Sequence, residues 1–162
     1  EPFFTKAKDT GSGLFILVHT SNKGSQDIQE VLINRDLKCY EHLANILKPI
    51  IEKNNGKSGL SSIGIVSGAT YKEQAISLRK ILPSAPFLIP GYGAQGASAL
   101  DASAPLIIDQ SYSGLKNFGL INASRSVLFP ENSYLVNNVK EWQDVILTEL
   151  NKTNDELINT QI

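Results

Sequence analysis

The sequence predicts a parallel α/β fold assembled from four strand–helix units, and three observations predict it. Apolar runs at Leu14–Val18, Ser62–Thr70, Phe87–Gly93 and Phe118–Arg125 each close on a tip rich in Gly, Ser, Thr or Asn, and helical patterning fills much of the intervening chain. The runs are nearly continuous in apolar residues rather than alternating, as expected of parallel strands covered on both faces. The length, 162 residues, suffices for one sizeable core, whereas a closed (β/α)₈ barrel takes about 250 residues. An open sheet of four or five strands and half of a barrel both remain open on length.

The first run, "LFILV", leads into the tip "HTSNKGS". From Asp36, the residues Leu37, Tyr40, Leu43, Ala44, Leu47, Ile50 and Ile51 recur at helical spacing and predict a helix with one apolar stripe. Pro49 near its end is expected to kink or shorten it. After the second run, Thr70 and Glu73 read as a capping box, with Ala75, Leu78 and Ile81 facing inward and Pro83 as the stop. The stretch after Gly96 is weakly patterned and reads as loop. A final helix carries Val139, Trp142, Ile146 and Leu150, and "NKTNDELINTQI" is either its extension or a frayed tail. No linker or break in composition appears, so residues 1–162 are read as one domain.

Composition narrows the function classes. Hydrophobic residues make up 41% and charged residues 19%, with a net charge of −1. That balance gives no global field for nucleic acid or an anionic membrane. No apolar run approaches the roughly 20 residues of a bilayer span, and "EPFFTKAKDTGSG" lacks the features of a signal peptide. The single Cys39 cannot form an internal disulfide, which fits a cytoplasmic setting. No His/Cys/Asp/Glu group has metal-ligand spacing, and no G-x-S-x-G elbow occurs. Cys39 and His42 read as helix residues, and His19 as a structural or surface histidine.

In parallel α/β folds the working residues lie at the carboxyl ends of strands. Four tips qualify: residues 20–22, 67–70, 90–96 and 123–125. The third packs Gly91, Gly93 and Gly96 around Gln95, and successive glycines let peptide N–H groups converge on an anion. Arg125, at the next tip, offers a planar fork suited to phosphate. Ser21 and Asn22 are short polar groups suited to the edge of an amide-like ring, or to a turn. Thr70 is explained as a cap. "GYGAQG" matches G-x-G-x-x-G, yet no helix pattern opens after it and no suitably placed acid follows, so it is not a dinucleotide fingerprint. In eight-stranded barrels the recurrent phosphate site follows strands seven and eight. If the third and fourth runs are those strands, the chain holds strands five to eight.

The segments "FILVHTSNKGSQDIQ", "IGIVSGAT", "LIPGYGAQGA" and "INASRSVLF", in this order and spacing, resemble the C-terminal half of orotidine 5′-phosphate decarboxylase of the bacterial type 2 form, over essentially the whole chain. The resemblance implies a (β/α)₈ barrel, a homodimer, no cofactor, and conversion of orotidine 5′-phosphate to UMP and CO₂ in pyrimidine synthesis. It assigns Gln95 and Arg125 to the 5′-phosphate, with peptide N–H groups from the Gly93-Ala94-Gln95 loop and Ser124, counts Pro90 among the substrate-binding residues, and assigns Ser21 to the pyrimidine. His19, Lys23, Ser67, Tyr92 and Ala97 depart from the residues usual in the family.

The family's acid–base groups resemble a D-x-K-x-x-D run at the third barrel strand. None occurs in these 162 residues; Asp36-Leu37-Lys38 begins like one but is followed by Glu41 at the last position, at an expected helix start. The expectation is therefore a fragment with no catalytic residue of its own, inactive alone, which pairs with itself or with an N-terminal half. A second sugar-phosphate barrel enzyme and a non-catalytic phosphate-binding half-barrel are the competing readings.

Overall fold

The computed structural model describes residues 2–108 and 116–160. In chain order the elements are α1 (Pro2–Thr10), β1 (Leu14–His19), a 3₁₀ turn (Lys23–Ser25), α2 (Gln26–Gln29), β2 (Leu32–Asn34) and β3 (Leu37–Lys38). There follow α3 (Cys39–Lys53), β4 (Ile63–Ser67), α4 (Lys72–Ile81), β5 (Phe87–Pro90) and α5 (Ala99–Ser103). The last are β6 (Ile107–Ile108), β7 (Lys116–Asn117), β8 (Gly119–Asn122), α6 (Arg125–Leu128) and α7 (Val139–Asn159).

All four expected runs are strands of one sheet, ordered β1-β4-β5-β8 and parallel throughout. That order follows the chain without reversal. A doubly wound sheet reverses at a switch point, so this sheet is an arc of a (β/α) barrel. One face carries Val18, Ile63, Ile65, Phe87 and Ile89, buried with Tyr40, Ala44, Leu47 and Ile51 of α3 and Leu78 of α4. Fully burying each large side chain there contributes about 1.5–3 kcal/mol. The opposite face is open. Strand register aligns Leu17, Val66, Leu88 and Leu120 in one row across all four strands. Leu17 is 55% and Leu120 61% exposed, at the two edges of the sheet.

Several local expectations are corrected. The chain from Asp36 does not enter a helix directly. Arg35 and Asp36 form the turn of the β2–β3 hairpin, so Asp36-Leu37-Lys38 lies in a hairpin and not at the end of a parallel strand. Helix α3 starts at Cys39, where the Lys38 N–H donates to Glu41 Oε2 at 3.2 Å. Pro49 sits inside α3 without stopping it, near enough to the end that the helix still reaches Lys53. Thr70 is not the cap of α4. Tyr71 holds that position, and Thr70 Oγ1 donates instead to the Ser21 carbonyl at 2.8 Å.

The stretch after Gly96 holds α5, capped by Ser98, whose hydroxyl accepts from the Asp101 N–H. The Ser98-x-x-Asp101 spacing was the legible signal. Helix α7 takes in most of the terminal stretch, to Asn159. Its Val139, Trp142 and Leu150 are exposed, while Thr153 is buried and Leu157 packs on the core. The helix therefore seats on the core through its C-terminal half.

At the amino end of the strands Arg79 of α4 is a half-buried cation held by carbonyls. Nε donates to Pro105 O at 2.8 Å, Nη1 to Ala85 O at 2.7 Å and Nη2 to Phe118 O at 2.9 Å. Its guanidinium lies 3.8 Å over the Phe87 ring. Burial pushes its pKa down to about 10, so it remains charged at neutral pH. Arg79→Ala is expected to lose about 3 kcal/mol in urea unfolding, because it strips carbonyls of charged donors and removes a packed stem. Lysine, lacking the planar fork, should restore less than half.

Candidate functional site

The loop after β5 owes its shape to its glycines. Gly91, Gly93 and Gly96 adopt φ of 110°, 71° and 94°, a region L side chains rarely enter. The Gly93 N–H donates to Ala97 O at 3.1 Å, Ala97 N–H to Gly91 O at 3.3 Å and Gly96 N–H to Gly93 O at 2.8 Å. The result is a compact turn standing on Tyr92 and Ala97. The Gly93 N–H is thus engaged within the turn. Ala94 and Gln95 N–H make no backbone hydrogen bond among the described residues.

Two of these glycines also let neighbouring tips touch. A Cβ on Gly91 would stand 3.0 Å from Ser21 Cβ, and one on Gly93 would stand 2.7 Å from Ser126 Oγ. On the second tip, a Cβ on Gly68 would come within 2.6 Å of Ser21 Cα. Ser21 is therefore wedged between Gly68 and Gly91, and Thr70 fixes its carbonyl from the same side.

The tips after β1, β4, β5 and β8 converge in this way. Gly93 and Ala94 line a cleft of about 700 Å³ with Arg125 and Ser126 of α6 and with Glu149 and Lys152 of α7. Arg125 is exposed and has no carboxylate partner among the described residues. Gln95 is exposed at the turn itself, and Ser124, just before α6, donates to Asn122 Oδ1 at 3.4 Å. Pro90 ends β5 half-buried. Of the residues singled out in the sequence, Gly93, Ala94 and Arg125 share the cleft, Gln95 and Ser124 flank it, and Ser21 lies on the Gly91 side. Ser126, Glu149 and Lys152 were not anticipated. Ser126 lies within the INASRSVLF segment without having been singled out, and the cleft-lining residues of α7 carry no local signature.

His19, at the end of β1, is fully buried and edge-on to Tyr40 and Tyr71 at ring-centroid distances of 5.2 and 4.9 Å. It is a structural residue on the helix side of the sheet. Its Nε2 stands 3.5 Å from Glu30 Oε1, and Glu30 is held by Lys38 Nζ and Gln74 Nε2, each at 2.8 Å. The Lys38 of the D-x-K decoy is thus occupied in this network. Burial lowers the His19 pKa below 6.5, with Glu30 offsetting only part of the effect. Among the described residues no group of three His, Cys, Asp or Glu could hold a metal ion, and no helix is long and apolar enough to cross a membrane.

An arc of a parallel barrel with a glycine turn and an exposed arginine at its carboxyl edge defines a class: part of a (β/α) barrel protein with an anion-competent cleft. Comparison with known proteins shows what this region is similar to. The orotidine 5′-phosphate decarboxylase of Clostridium kluyveri is 42% identical over 128 residues, covering 79% of this chain and 42% of that protein. That of Clostridium tetani is 36% identical over 158 residues, covering 98% of this chain and 52% of that protein. A solved Toxoplasma gondii structure, provisionally assigned as an orotidine-monophosphate decarboxylase, superposes with a TM-score of 0.66 at 25% identity, covering 91% of this chain and 54% of that one. No family model matches the chain. The chain is a homologue of the orotidine 5′-phosphate decarboxylases and spans about half the length of the curated relatives it matches.

The burial of His19 has a consequence in acid. The unfolded chain takes up a proton near pH 6.5 and the folded chain only at lower pH, so protonation favours unfolding. Stability should be fully present above pH 6.5 and fall as pH drops through the folded pKa. Urea midpoints between pH 7 and 5 test this. His19→Gln should flatten the profile in that window.

Proposed function

We propose that this chain supplies the substrate-gripping half of an orotidine 5′-phosphate decarboxylase, which converts orotidine 5′-phosphate to UMP and CO₂ in pyrimidine synthesis. The observation that carries the reading is the meeting of a three-glycine turn with Arg125 at consecutive parallel strand tips, with Ser21 beside it. Arg125 binds the 5′-phosphate as a bidentate fork, the Gln95 amide and the N–H groups of Ala94 and Gln95 add donors, and Ser124 closes the far side. Ser21 takes the pyrimidine edge. No cofactor enters.

Decarboxylation leaves the electron pair of the broken C6–CO₂ bond on C6, where it must be stabilised and then protonated. These 162 residues hold no D-x-K-x-x-D run to do either, and Lys38 is tied to Glu30. The acid–base groups therefore come from a complementary half. Its strands would pair with the β1 and β8 edges and cover the row of Leu17, Val66, Leu88 and Leu120, since a bare sheet edge and an open apolar face invite association. Phosphate binding on this half then supplies binding energy remote from the reacting ring. A second copy of the chain in place of that half, and a cytoplasmic location, belong to the same proposal.

Titration calorimetry with UMP tests the grip. Arg125→Ala should lose about 2 kcal/mol or more of affinity, roughly thirtyfold in Kd; an unchanged Kd removes Arg125 from the site. A turnover assay on the purified chain, free of host enzyme, tests the division of labour. No UMP should form from orotidine 5′-phosphate, and robust turnover would overturn the assignment of chemistry to a complementary half.

A further inference from the structure

We propose that Tyr92 and Glu156 form a latch through which helix α7 positions the glycine turn against Arg125. This rests on the reading of that turn as the phosphate site and makes both residues positioning residues, not ligands.

Tyr92 is buried, and its hydroxyl donates to Glu156 Oε2 at 2.6 Å, 64 residues along the chain. A short bond to a carboxylate is among the stronger hydrogen bonds available to a neutral donor. Within the turn, Gly91, Gly93 and Ala94 offer little or no side chain with which to grip the body of the protein. Tyr92 is the anchor, joined to the core with Ala97, its partner in an isolated bridge. Three glycines at positive φ allow the turn its shape, but conformational permissiveness does not hold a shape. That constraint has to come from outside the turn.

Helix α7 supplies it and reaches the other side of the cleft as well. It packs against α6, which carries Arg125, and against α5, which follows the turn. Its Glu149 and Lys152 line the cleft two turns and one turn before Glu156. One rigid element therefore touches both jaws, and the Tyr92–Glu156 bond fixes one jaw to it. A bidentate grip on a phosphate requires placement within about 0.5 Å, a tolerance an untethered glycine turn would exceed. Burial and Glu156 push the phenol up to about 12, so the donor keeps its proton throughout the neutral range.

Four variants of the full chain test the latch: Tyr92→Phe, Glu156→Ala, Glu156→Gln and Arg125→Ala. The readouts are the Kd for UMP and amide hydrogen exchange at residues 94–96 in the free protein. Tyr92→Phe and Glu156→Ala should each raise Kd about tenfold and accelerate exchange in the turn. Combining them should add little, because they remove one bond. Glu156→Gln still presents an acceptor oxygen and should remain near wild type, a rescue that mere packing would not require. Wild-type Kd and exchange in Tyr92→Phe, alongside lost binding in Arg125→Ala, would overturn the latch and leave the phosphate site standing. If Arg125→Ala binds UMP normally, the phosphate reading falls. Exchange in Tyr92→Phe still decides whether the bond fixes the turn, and unchanged exchange refutes it.

Discussion

Close backbone approach at the carboxyl ends of the strands is the constraint on which the site depends. Gly68 and Gly91 admit Ser21 between them, and Gly93 admits Ser126, at separations where a Cβ would collide. Parallel strands lie about 4.8 Å apart, so loops leaving neighbouring strands diverge unless something lets them touch. Here the missing side chains do so. The polar groups of four sequence-distant tips are thereby gathered at one edge of a sheet.

The two ends of the arc are built on different chemistry. At the amino end Arg79 is half-buried, and carbonyls from the chain around α4, before β8 and of Pro105 satisfy its charge. At the carboxyl end Arg125 is exposed and forms no ion pair among the described residues. The same side chain serves as a structural bolt in one place and a prospective anion ligand in the other. What separates the two is whether protein acceptors already surround the guanidinium. In barrel folds the carboxyl end is also where function collects, which agrees with this partition.

An open face runs through the whole arrangement. The row Leu17, Val66, Leu88 and Leu120 is the kind of surface a closed barrel fills with side chains from its remaining strands, and the curated relatives are about twice as long as the region they share with this chain. A binding half without its acid–base half would retain recognition and lose rate, because binding energy accelerates a reaction only through groups that stabilise its transition state.

The sequence by itself determined the four strands, their parallel character, the stripe of α3 and the four tip motifs, because each depends on periodicity or turn chemistry within a few residues. It also supported Ser21, Gln95 and Arg125 as site candidates through an ordered set of motifs. It misjudged what nonlocal contacts decide. Thr70 looks like a cap but bonds the Ser21 carbonyl 49 positions away. Val139, Trp142 and Leu150 share a stripe of α7 yet stay exposed, because the helix seats by its other end. Only the tertiary structure decided the unreversed strand order, the carbonyl cage of Arg79, the burial of His19, and the reach of Glu156 to Tyr92. Those depend on which segments the fold brings together, and spacing along a chain does not encode that distance.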